Sequence, residues 1–137
     1  MIHFFYENLP ETVDTDYKKW LEDIILSEEK KLGEINYIFC DDDYLLKINQ
    51  DHLQHDYYTD IITFDSVKGK TINGEIFVSL QRVSDNASTL SKSFEEEQKR
   101  VLAHGILHLC GYKDKSEEDE KEMRSKEDFY IAKHNQG

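Results

Sequence analysis

The sequence is short of cysteine, of basic residues and of long apolar runs, and each shortage narrows what the chain can be. Its 137 residues include two cysteines, Cys40 and Cys110. Without a secretion signal, two thiols read as reduced core residues rather than a disulfide framework. The opening MIHFFYENLPE has no basic region followed by an apolar stretch, so it does not read as a signal peptide. No segment approaches the roughly 18 consecutive apolar residues of a membrane helix, and the expected location is cytoplasmic. Internal repeats, low-complexity linkers and glycine-rich phosphate loops are missing too. The length suits one domain with a core of its own, spanning residues 1–137. Lysine and arginine number 17 against 29 aspartates and glutamates, a formal net charge of -12. Such a chain repels a polyanion at long range, so any contact with nucleic acid has to be local. Lys68, Lys70, Lys92, Lys99 and Arg100 are the candidates, although each alone is more simply a solvated surface charge.

What is present is concentrated in the run HGILHLCGYKD, His104 to Asp114. A helix advances about 100° per residue, so His104 and His108 share a face with Cβ atoms roughly 6 Å apart. Val101, Leu102, Ala103, Ile106, Leu107 and Leu109 make the other sides apolar, which marks a buried, central helix. Two histidines on such a helix need polar partners or a metal ion. Gly111 suits a left-handed turn that ends the helix and returns Asp114 toward the histidine face. Three ligands with a fourth position left to water are the pattern of a catalytic zinc site. A bare HxxxH is common in helices, and the residues by themselves leave the metal site and a partnered histidine pair both open. Cys110 lies about 200° around the helix from His108 and reads as a packing residue.

The run resembles the HGxLHLxGYDH motif of the YbeY family, bacterial metal-dependent endoribonucleases associated with ribosomal RNA maturation. The match falls on His104, Gly105, Leu107, His108, Leu109, Gly111 and Tyr112. Two further blocks are similar: INQDHLQHDYYTDIITF, Ile48 to Phe64, to the family's LNxxYRxKDxPTDVLSF, and NGEIFVS, Asn73 to Ser79, to its GDIxIS. Order, spacing and length agree over nearly the whole chain. The resemblance implies His104, His108 and Asp114 as metal ligands, with Asp114 standing where the family has its third histidine and Lys113 where it has the preceding aspartate. A one-residue slip would offer Lys115 instead, whose protonated amine cannot ligate. One Zn2+ per chain is expected, and a carboxylate ligand weakens discrimination against iron, manganese or nickel. The family's cleft arginine falls at Leu53 and its lysine at His55, so phosphate clamping by that arginine does not carry over.

The coarse pattern gives an α+β fold, one domain with a small mixed sheet of about four strands packed with helices and the metal-binding helix central. Strands are expected at Ile2 to Tyr6, Ile35 to Cys40, Asp60 to Asp65 and Glu75 to Ser79, the last two as neighbours. Helices are expected over Asp16 to Lys31, from Asp41, Asp42 and Asp43 to about Asp51, from a Ser93/Glu96 capping box to Cys110, and from Ser116 to about His134. The last carries EEDEKEMRSKED, which reads as a solvated face with Met123, Phe129 and Tyr130 available for packing. A cleft is expected between the metal helix and Thr59 to Phe64.

By resemblance the function is single-strand-specific, metal-dependent endoribonuclease activity in ribosomal RNA processing and ribosome maturation or quality control. His104, His108 and Asp114 would act through an activated water, with His55 as a candidate proton carrier. Thr59, Asp60, Lys68 and Lys70 are the candidate substrate contacts. Single-stranded or ribosomal RNA is the expected partner, together with a ribosomal subunit or ribosome-associated proteins, and neither membrane nor DNA. The alternative is a ribosome-assembly or RNA-binding factor with a structural metal and little nuclease activity. A metalloprotease would carry HExxH, but Gly105 occupies the position of its glutamate base. A two-histidine, one-carboxylate set also suits non-haem iron oxygenases, yet nothing else in the chain points to an oxygenase cosubstrate.

Overall fold

Alternating apolar residues build the sheet: Ile35, Tyr37 and Phe39 on one strand and Ile72, Ile76 and Val78 on another are buried toward the same face. The computed structural model describes residues 1–136. Its strands are β1 (Ile2–Tyr6), β2 (Lys31–Cys40), β3 (Ile61–Asp65) and β4 (Thr71–Ser79). Its helices are α1 (Tyr17–Ser27), α2 (Asp42–Leu53), α3 (Leu80–Thr89), α4 (Phe94–Leu109) and α5 (Glu117–Asn135). The sheet order is β1-β2-β4-β3, with β1, β2 and β4 parallel and β3 antiparallel to β4. The α+β expectation with a mixed four-stranded sheet therefore holds. β2 starts earlier than Ile35, and a register irregularity between Leu32 and Ile35 interrupts its alternation there. α3 is an element that the sequence reading did not contain.

Helices cover both faces. Leu21, Ile24 and Ile25 of α1 join Leu102, Ile106 and Leu107 of α4 over the first face. On the other, Leu45 of α2 packs with Cys40 and Ile62. α4 touches α1, α3, α5, β3 and β4, which makes it the hub of the domain. Leu102, Ile106 and Leu107 are fully buried, each worth about 1.5–3 kcal/mol relative to exposure. The Tyr37 hydroxyl donates to the Leu102 carbonyl at 2.6 Å and ties β2 to the middle of α4. Gly105 allows the close approach: a Cβ there would lie 3.0 Å from Ile76 Cγ2 and 3.2 Å from Ile61 Cδ1. The glycine between the two histidines thus seats α4 on the sheet.

The acidic triple is used structurally. Asp41 caps α2 by accepting from the Tyr44 amide at 2.8 Å, and buried Asp42 pairs with Arg82 at 2.6 Å. Cys40 and Cys110 are free thiols, which burial pushes up to about 12. No helix among the described residues is long and apolar enough to cross a membrane.

Candidate active-site cleft

Local signals fix both ends of α4. Ser93 Oγ accepts from the Glu96 amide at 3.1 Å and the Glu96 carboxylate accepts from the Ser93 amide at 3.2 Å, a complete capping box. At the other end Gly111, φ 113°, turns the chain. The Gly111 amide donates to His108 O at 3.0 Å and the Tyr112 amide to Leu107 O at 3.1 Å, the paired bonds of a Schellman motif. The chain then returns along α4, and Asp114 Oδ2 reaches His104 Nε2 at 3.2 Å.

The return is braced from elsewhere. Tyr112 Oη donates to Glu28 Oε1 at 2.6 Å. The same carboxylate accepts from the Tyr130 hydroxyl on α5 and from Lys126 Nζ at 3.4 Å. Burial by itself would raise the Glu28 carboxyl, but the two tyrosine hydroxyls and the Lys126 charge hold it below its ordinary value. α5 is thereby locked beside the Asp114 loop.

An open cleft of about 730 Å³ lies between α4, α5 and the start of β3. Thr59, Asp60, His104 and Asp114 line it. So do several side chains that the sequence reading missed, above all Glu127 and Glu97. Glu127 is 4% exposed and its Oε2 lies 2.8 Å from His104 Nδ1, while its Oε1 accepts from Arg100 Nη1 at 2.8 Å. A carboxylate behind one ring nitrogen fixes the imidazole and points the other nitrogen outward, the usual arrangement behind a metal-ligating histidine. Burial alone would lower the His104 pKa, yet the Glu127 hydrogen bond and the charges of Glu127, Asp114 and Asp60 raise it overall. Glu127 was legible in one respect: Met123, Glu127 and Tyr130 are spaced by four and three and fall on one buried face. A carboxylate on a packing stripe needs a buried partner.

Two further carboxyls shape the floor. Burial pushes Asp60 up against the opposing pull of His104 and of the Asn86 amide, 3.3 Å away. Burial and then the Asp60 charge push Glu97 up, with Arg100 and Lys92 opposing. Glu97 Oε1 is buried without a hydrogen-bond partner. Both groups are shifted toward their neutral forms.

The remaining candidates lie elsewhere. His108 is half-buried one turn beyond His104 and does not line the cleft. Among the described residues no three His, Cys, Asp or Glu side chains are gathered closely enough to hold a metal ion as they stand. The donor chemistry nevertheless suits a divalent ion at His104 and Asp114, because Glu127 engages Nδ1 and leaves Nε2 facing the carboxylate. His55 sits in the exposed segment between α2 and β3, its Nδ1 2.9 Å from the Tyr57 hydroxyl and its ring stacked on Tyr57. Leu53 is 41% exposed at the end of α2. Lys68 and Lys70 occupy the β3–β4 hairpin, separated from Asp60 by the length of β3, roughly 15 Å.

A mixed sheet with a central helix, bearing a carboxylate-backed histidine at an acidic cleft, defines a small α+β domain of enzyme type. A family model described as Endoribonuclease YbeY matches residues 5–135. The chain belongs to this YbeY family. Endoribonuclease YbeY of Flavobacterium johnsoniae is 60% identical over 134 residues, covering 96% of each chain. That of Christiangramia forsetii is 52% identical over 132 residues, 96% of this chain and 92% of the relative. The solution structure of TM1509 from Thermotoga maritima is similar with a TM-score of 0.72 at 32% identity, covering 96% of this chain and 87% of the other.

Proposed function

We propose that this protein is a metal-dependent endoribonuclease that cuts single-stranded RNA in ribosomal RNA processing and ribosome maturation. The observation that carries the reading is the Glu127–His104–Asp114 line of side chains, opening on the cleft of a chain whose relatives bear the name endoribonuclease. His104, His108 and Asp114 are the residues that would hold the ion, with zinc the best suited to two imidazoles and one carboxylate. When bound, the ion supplies Lewis acidity toward a phosphodiester and toward water. The chain's own residues do the rest. Glu127 orients the His104 ring, and Arg100 fixes Glu127 in turn. Six carboxyls line the cleft, so an entering phosphate has to be met there by positive charge. Ribosome-associated partners and a cytoplasmic location belong to the same reading.

The test is cleavage of a labelled single-stranded RNA by the purified protein, by His108→Ala prepared identically and by chelator-treated protein. Loss of cutting in both controls is the expected result. Equal cutting in all three would trace the activity to a contaminant. No cutting in any, with RNA still bound, would favour an assembly factor with a structural metal.

A further inference from the structure

The electrostatics of the cleft pose a problem that its geometry answers. Three basic side chains line it: Arg100, Lys121 and Arg124. Arg100 is committed, its Nη1 2.8 Å from Glu127 and its Nη2 2.6 Å from Asp128, with 18% of the side chain exposed. Lys121 and Arg124 are exposed, and neither forms an ion pair among the described residues. Three residues apart on α5, they present their charges on one face of the helix. Glu117 and Glu120 stand four residues before them, at the spacing where surface pairs form. Such pairs are worth only about 0.2–0.5 kcal/mol and give way readily to a phosphate.

We infer that Lys121 and Arg124 are the phosphate contacts of this cleft, binding the backbone of single-stranded RNA beside His104 and Asp114. The inference rests on the RNA substrate proposed above. It accounts for how a chain of net charge -12 holds a polyanion: two cations without a buried partner stand at the wall of a cleft that six carboxyls also line, so the contact is local and not a long-range attraction. It also moves the substrate contacts from the β3–β4 hairpin, where Lys68 and Lys70 lie, to α5. An arginine and a lysine at this site recognise phosphate without reading base identity, so the contact carries affinity and register rather than sequence preference.

The test is stopped-flow polarisation with a short labelled single-stranded RNA, in which the fast rise reports binding and the later fall reports cutting. Wild type is compared with the double variant Lys121→Gln/Arg124→Gln and with Lys68→Gln/Lys70→Gln over about 0.05 to 1 M salt. Each phosphate contact to a single strand contributes about 0.7 to the slope of log K against log salt, so the α5 variant should lose about 1.4. That corresponds to about 25-fold weaker binding at 0.1 M salt relative to wild type, converging near 1 M. A wild-type slope in the α5 variant, or loss of slope in the hairpin variant instead, overturns the assignment. A rise without a fall in wild type refutes the nuclease reading and leaves the slope comparison intact, whereas no rise in wild type removes both.

Discussion

Removing Glu127 tests whether the cleft is organised from behind. In Glu127→Ala the Arg100 guanidinium loses a 2.8 Å partner and His104 Nδ1 loses its own. Deleting one partner of a buried ion pair costs about 3–5 kcal/mol, because the other charge stays behind uncompensated. Arg100 keeps Asp128 at 2.6 Å, but that carboxylate is 58% exposed, which places the loss near the lower bound, about 3 kcal/mol. With about 2–8 °C per kcal/mol across small to mid-sized domains, the melting temperature should fall by roughly 10 °C. Metal affinity should fall as well, by about 10–100-fold, since the imidazole is no longer held in one orientation. Glu127→Gln keeps the shape and one acceptor, so it should regain much of the stability while leaving the affinity deficit. Circular-dichroism melts and zinc titration against a chelating dye measure the two effects separately. An alanine variant that melts within about 2 °C of wild type and binds zinc equally well would refute the reasoning, because burial and both contacts would then count for nothing.

Two other outcomes follow from the scaffold. Glu28→Gln should destabilise the protein at neutral pH, with a gap that narrows in acid: the folded carboxyl lies below its ordinary 4.5, so its contribution is present above that value and is lost as pH falls through the lower folded value. Urea midpoints of the two proteins that stay parallel into acid would contradict this. Ser93→Ala removes the hydroxyl of the capping box at the start of α4 and should cost about 1 kcal/mol by denaturant titration with the m-value unchanged.

Local signals made α4 legible, and non-local packing hid much of its setting. The Ser93/Glu96 box, the histidine spacing and Gly111 are all written within twenty residues, and they predict the helix and its end closely. α3 escaped because Ser79 serves as both the last residue of β4 and the N-cap, accepting from the Arg82 amide at 3.1 Å, so no loop separates strand from helix. Its apolar residues are few, with Leu80, Val83 and Ala87 the buried ones. On α5, Met123 and Tyr130 pack as expected, while Phe129 is 50% exposed one step around the helix. Glu127 vanished into a run of charges, its place four residues after Met123 and three before Tyr130 being the one local sign that it is buried. Lys121 and Arg124 were hidden in the same way. Gly111 points to a chain that folds Asp114 back toward the histidines, and the family motif singles out Asp114 as the ligand, since nothing local dictates how far the chain turns.

The bonds from Glu28 to Tyr112 and Tyr130 span 84 and 102 positions, and this has a consequence for biosynthesis. A polypeptide emerging from its N-terminus completes the three parallel strands and α4 before α5 has been made. At that stage His104 has no Glu127 behind it and the wall carrying Lys121 and Arg124 does not exist. Domains fold as units during synthesis, and here the unit closes only when α5 docks. A half-made copy therefore lacks both the buried carboxylate that orients His104 and two of the cations that line the cleft.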